Sequence, residues 1–124
     1  MTERSLTHCE LEVMEVVWNR GQATVQDVVD GLDRPLAYTT VMTTMKILDR
    51  KGVLKRCGKT GRAYIYEPTV RREDIQRTMT DDLAGRLYGG SVKSLVLNLL
   101  GHSSMSREDV NELKAAIESL EADQ

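Results

Sequence analysis

Apolar side chains along the first half of the chain recur at helical spacing, broken by polar or glycine-containing joints. Thr7 followed by Glu10 has the form of a capping box. Leu11, Met14, Val17 and Trp18 then fall on one face up to Arg20-Gly21, which predicts a first helix. Thr24 is positioned to cap a second, short helix whose Val25, Val28, Val29 and Leu32 stand at i, i+3, i+4 and i+7, ending near Arg34-Pro35. A third pattern runs from about Tyr38 to Lys51 and stops at Gly52, with Val41, Met45 and Leu48 turned inward and Tyr38 behind them. The period then changes from helix to strand. VLKRC, GKTG and RAYIYEP read as two β-rich runs joined by a turn containing two glycines and closed by Pro68.

From Val70 onward helical spacing returns three times: Ile75, Met79, Leu83 and Leu87; then Val92, Leu95, Val96, Leu99 and Leu100; then Val110, Leu113, Ile117 and Leu120 behind a Ser106 cap. Gly89-Gly90 and Gly101-His102-Ser103-Ser104 punctuate the three. The predicted class is mainly α with a small β-hairpin. Three helices followed by a hairpin with a basic tip is the order of a winged helix-turn-helix, in which the third helix enters a major groove and the wing touches the flanking backbone. The last three helices are too short a set to bury sufficient apolar surface alone, so their apolar faces call for a partner chain. The expected organisation is a winged-helix DNA-binding domain over 1–69 and a three-helix dimerisation domain over 70–124. The dimer contact is expected from Ile75, Met79, Leu83, Leu87, Leu95, Val96, Leu99, Leu100, Leu113 and Ile117.

The third helix has a second face. At about 100° per residue, Thr39, Thr43, Lys46 and Arg50 come together opposite the apolar side, flanked by Thr40 and Ile47. Threonine is a poor helix former, and the threonines of YTTVMTT together cost roughly 1–2 kcal/mol against alanine. A solvated face held by tertiary packing tolerates that cost. A DNA-reading face uses it, because hydroxyls reach phosphates and threonine methyls meet the thymine C5-methyl.

Charge moves the balance between these readings. A net charge of −2 and a pI near 5.7 argue against a polyanion partner until the charges are located along the chain. From Arg34 to Arg72 there are ten basic residues (Arg34, Lys46, Arg50, Lys51, Lys55, Arg56, Lys59, Arg62, Arg71, Arg72) against Asp49 and Glu67, a local balance of +8 that leaves −10 elsewhere. Such segregation suits a polyanion, whereas a merely solvated surface mixes its signs. The rival reading is a winged helix used as a protein-interaction module, since that fold serves many proteins that do not bind DNA. Such modules usually lack a continuous basic face.

Composition excludes other classes. With 124 residues, 40% of them hydrophobic and 29% charged, the chain has the size of one ordinary folded domain or of a small one with an appendage. MTERSLTHCELE has no basic start before an apolar run, and no stretch approaches the ~20 apolar residues of a membrane helix, so a cytoplasmic protein is expected. Cys9 and Cys57 form no CxxC and read as small buried or half-buried hydrophobes. There is no Gly-rich phosphate loop, HExxH or GxSxG, and His8 and His102 have no catalytic carboxylate partner nearby in the sequence. No enzyme, cofactor or small-molecule substrate is expected.

AYTTVMTTMKILDRKGVLKR, GRAYIYEP and GGSVKSLVLNLL, in that order, closely resemble the penicillinase-repressor family of BlaI/MecI/CopY type over nearly the whole chain. The resemblance implies a homodimeric transcriptional repressor. Its N-terminal winged helix would bind one half of a dyad operator in double-stranded DNA, with half-sites of TACA/TGTA character, and its C-terminal helices would intertwine between subunits. Carried over residue by residue, the family's recognition helix falls on Tyr38 to Arg50, which makes Thr39, Thr40, Thr43, Thr44 and Lys46 candidates for groove and phosphate contacts. Arg50 shares their helix face. Arg62 falls on the family's wing, where Lys59 of the hairpin tip joins it. SVKSLVLNLL resembles the helix that repressors of antibiotic-resistance operons present to an activated membrane sensor-protease. There the cut follows an asparagine and precedes a phenylalanine; here the matching pair is Asn98-Leu99. The copper-responsive branch carries a C-terminal CxC motif, whereas this sequence has no cysteine after Cys57, and His8, Cys9, Cys57 and His102 lack ligand spacing. No metal site is expected.

Overall fold

In the computed structural model, which describes residues 5–123, Thr7 closes its capping box: the Thr7 hydroxyl accepts from the Glu10 amide at 3.2 Å and Glu10 Oε1 accepts from the Thr7 amide at 2.8 Å. Helix α1, His8–Arg20, follows. Thr24 and Asp27 form a second box, at 3.1 and 3.0 Å, ahead of α2, Val25–Gly31. That helix stops short of the expected Arg34-Pro35, because Leu32 is already extended. Gly31 permits a close approach to α1, since a Cβ there would come within 2.9 Å of Val16 Cγ1. Helix α3 spans Tyr38–Arg50 and turns Val41, Met45 and Leu48 wholly inward.

Strands β1, Leu54–Thr60, and β2, Ala63–Pro68, form an antiparallel hairpin. Its loop is tighter than the sequence indicated. Thr60 pairs with Ala63, so only Gly61 and Arg62 lie in the turn, and Gly61 adopts the positive φ of 63° that the first residue of such a two-residue loop requires. Gly58 belongs to the strand beside a bulge between Arg56 and Gly58. Cys57 occupies that bulge and is exposed rather than half-buried, while Cys9 is half-buried. The hairpin is tied to the helices through Ala23, which exchanges two backbone hydrogen bonds of 2.9 Å with Tyr66.

Val13, Met14, Val17, Val28, Val41, Met45, Leu48, Val53, Leu54 and Tyr66 fill the core, and Val70 and Ile75 join it from beyond the hairpin. Helix α4, Arg72–Leu87, is therefore part of the winged unit at its start. Trp18 Nε1 donates to the Val70 carbonyl at 3.0 Å. The Arg72 guanidinium lies 5.4 Å from the Trp18 ring centroid and pairs with Glu15 at 2.9 Å. Ile75 is 1% exposed and Met79 packs against the same core. The chain divides into one compact unit reaching Gly90 and another beginning at Ser91, a different boundary from the one expected after residue 69. The reason is that the first apolar positions of α4 are satisfied within the chain.

The second unit contains α5, Val92–His102, and α6, Arg107–Ala122. Leu95 is buried, but Val96, Leu97, Leu99, Leu100, Leu113, Ile117 and Leu120 are 41 to 65% exposed. Among the described residues no helix is long and apolar enough to cross a membrane.

Candidate nucleic-acid interface

Helix α3 presents Thr39, Thr40, Thr43, Lys46, Ile47 and Arg50 to solvent, and its buried side holds them there against α1 and α2. Among the described residues the hydroxyls of Thr39, Thr40 and Thr43 have no hydrogen-bond partner within the chain. Thr44 differs. It is 8% exposed, its hydroxyl donates to the Thr40 carbonyl at 2.8 Å, and Cys9 Sγ lies 3.8 Å from its Oγ1. On a helix Thr44 lies about 40° beyond Thr40 towards the buried side, which turns it away from the face proposed for it. Its methyl and hydroxyl serve the packing of α3 on α1.

Ion pairing sorts the ten basic residues of the positive segment. Arg34 forms a two-pronged pair with Glu12 at 2.7 and 2.8 Å. Lys51 pairs with Glu10 at 2.8 Å, Lys55 with Glu67 at 3.3 Å, Arg56 with Asp49 at 3.7 Å, Arg71 with Asp74 at 3.2 Å and Arg72 with Glu15 at 2.9 Å. Among the described residues, no carboxylate lies within ion-pair distance of the other four, Lys46, Arg50, Lys59 and Arg62. Two of these belong to the exposed face of α3 and two to the hairpin tip. The local positive charge that remains after internal neutralisation is thus confined to the elements a winged helix applies to DNA.

The hairpin holds its cations on an aromatic platform that the sequence reading missed. Tyr64 lies opposite Lys59 in the ladder, and its ring receives Arg56 at 4.2 Å and Lys59 Nζ at 4.7 Å from the centroid. The cross-strand register was the signal, and it needed the correct turn length to read. A hydrogen bond involving Tyr66 and the nearby Asp49 charge raise the Arg56 pKa above its ordinary value. At Cys57, desolvation and the Glu67 carboxylate push the thiol up, which favours its neutral form.

The C-terminal end of α3 is fixed from below. Glu10 is 4% exposed and receives both Lys51 Nζ and the Thr7 amide on Oε1 at 2.8 Å. Burial alone would raise its carboxyl pKa, but Lys51 and Thr7 together outweigh burial and hold it below 4.5. His8 meets Glu12 at 3.7 Å on the exposed side of α1, where Arg34 also binds and lowers the Glu12 pKa. Among the described residues no cluster of His, Cys, Asp and Glu is arranged to hold a metal ion.

Residues 6–119 match the penicillinase repressor family, a span that takes in both units. A penicillinase repressor of Bacillus licheniformis is 30% identical over 115 residues, covering 91% of this chain and 89% of that protein. The methicillin resistance regulatory protein MecI of Mammaliicoccus sciuri is 25% identical over 111 residues, covering 88% of this chain and 89% of that one. In three dimensions, the solution structure of the DNA binding domain of the repressor BlaI aligns with a TM-score of 0.51 at 28% identity, over 60% of this chain and 93% of that domain. The sorted charges, the winged helix and a sequence match extending across both units agree: this chain belongs to the penicillinase repressor family of DNA-binding transcriptional repressors.

Proposed function

We propose that the chain acts in the cytoplasm as a homodimer on a dyad operator, with α3 of each protomer in a major groove and the hairpin on the flanking phosphates. The observation that carries this reading is that, among the described residues, the cations of the positive segment from Arg34 to Arg72 left without a carboxylate partner are Lys46, Arg50, Lys59 and Arg62, on α3 and the hairpin tip. If each neutralises one phosphate, a dimer releases counterions from eight, and log K against log salt falls with a slope of about −7. Replacing one of the four by alanine is expected to flatten that slope by about 2 per dimer. Arg34→Ala and Lys55→Ala, whose charges are already spent on Glu12 and Glu67, should leave it unchanged. Anisotropy titrations across salt concentrations decide the matter. Equal flattening by both groups would overturn the assignment, and a slope near zero in wild type would favour the protein-interaction module.

The α3 face makes a second expectation. Thr43→Ala and Lys46→Ala should weaken operator binding without loosening the dimer, measured by sedimentation. Thr44→Ala should instead lower thermal stability through lost packing, by about 1 kcal/mol. Operator affinity at wild-type level in both Thr43→Ala and Lys46→Ala would mean that DNA meets another surface.

Dimerisation through α5 and α6 is supported by the uncovered Val96, Leu99, Leu100, Leu113 and Ile117. Leu83 and Leu87, also exposed, are available to extend it. Ile75 and Met79 are engaged by the winged core, Ile75 buried and Met79 partly so. Derepression by a membrane sensor-protease that cuts between Asn98 and Leu99 is a further reading. Its support is that both side chains are exposed in α5, where a cut would sever the apolar face.

A further inference from the structure

The face of α3 that carries Thr39, Thr43, Lys46 and Arg50 is polar except at one position, while the other exposed large hydrophobic residue of the helix, Tyr38, stands on a different side at its first position. Ile47 is 37% exposed and stands one turn beyond Thr43, with Lys46 and Arg50 on one side and Thr40 on the other. Core packing does not explain it, because Val41, Met45 and Leu48 already fill the inward side of α3 completely. Met42, an apolar residue on another side of the helix, packs partly buried against that core. Helix propensity does not explain Ile47 either, since a β-branched residue on an exposed surface is a poorer helix former than alanine, lysine or arginine.

The major groove offers a complement. Base edges there carry hydrogen-bond donors and acceptors and a single kind of apolar group, the thymine C5-methyl. We infer that Ile47 is a specificity-determining residue that packs on the C5-methyl of one thymine in each half-site. This inference rests on the assignment of α3 as the DNA-reading helix. The flanking hydroxyls and cations fix the height of the helix in the groove, and Ile47 then tests for a methyl with a wholly apolar side chain, whereas each threonine of that face also carries a hydroxyl for polar atoms.

The test uses the full-length protein and its operator, selected from a random duplex pool. Each thymine of a half-site, together with its dyad mate, is replaced in turn by deoxyuridine, which removes the methyl and leaves every hydrogen-bonding edge intact. At one thymine position wild type is expected to lose about fourfold in affinity per half-site, or about fifteenfold over the dyad. Ile47→Ala should bind the thymine operator at least that much more weakly, show no further loss when that thymine becomes uracil, and keep the wild-type salt slope. Ile47→Val should retain methyl sensitivity. Selective binding by wild type that ignores every methyl, or losses from Ile47→Ala and uracil that simply add at all positions, would overturn the inference alone. Absence of any sequence-selective binding by wild type would overturn the DNA-reading assignment, and this inference with it. The uracil scan of wild type needs no variant, and a melting curve of Ile47→Ala, expected to match wild type, separates lost contact from lost fold.

Discussion

A chain ending at Gly90 is expected to keep nearly the thermal stability of the full-length protein while binding a dyad operator about 10²- to 10⁴-fold more weakly. The winged unit contains its own closed core, with Val70 and Ile75 in place and Trp18 bonded to the Val70 carbonyl. What it lacks is α5 and α6 with their uncovered apolar residues. Two linked half-site binders gain from effective concentration, and unlinked ones do not. A chain ending at residue 69 makes the contrast. It strips Val70 and Ile75 from the core and leaves Trp18 Nε1 without its acceptor, at a cost of roughly 3–5 kcal/mol. Thermal melts and operator titrations of the two truncations distinguish the possibilities. Full operator affinity in the Gly90 truncation would exclude dimerisation through α5 and α6. Equal stability in the two truncations would contradict the assignment of α4 to the winged unit.

That boundary also marks what could be read before the structure. The capping box at Thr7, the cap at Thr24 and the inward trio of α3 were legible because each is settled within a few residues of chain. The apolar repeat of α4 was equally legible, but its destination was not. Whether Ile75 joins the core of its own chain or faces a second copy depends on distant contacts such as that of Arg72 with Glu15, made across more than fifty positions. The burial of Thr44 was hidden for a geometric reason. It sits at the margin between faces, where a rotation of about 40° decides between groove and core. The charge count of the segment was correct, yet only the folded chain reveals which cations are neutralised, because Glu10, Glu12 and Glu15 on α1 reach Lys51, Arg34 and Arg72 far along the sequence.

Glu10→Gln isolates the charge of the most deeply placed of these pairs, since glutamine can keep the capping hydrogen bond to the Thr7 amide. Breaking a fully buried pair costs about 3–5 kcal/mol. Lys51 retains 28% of its side-chain exposure and can turn to water, so a loss of roughly 2 kcal/mol at neutral pH is expected here. The pH dependence follows from the direction of the Glu10 shift. Its folded-state pKa lies below 4.5, so the unfolded chain takes up a proton first as pH falls, and the stability contributed by the carboxylate drains away below that value. Above 4.5 the contribution is fully present. Denaturant melts of wild type and Glu10→Gln from about pH 7 to about pH 3 should therefore show a gap that is constant near neutrality and narrows in acid. A gap that stays constant throughout would mean that the carboxylate contributes nothing as a charge. A gap that widens in acid would reverse the sign of the shift and remove the argument that this pair anchors the end of α3.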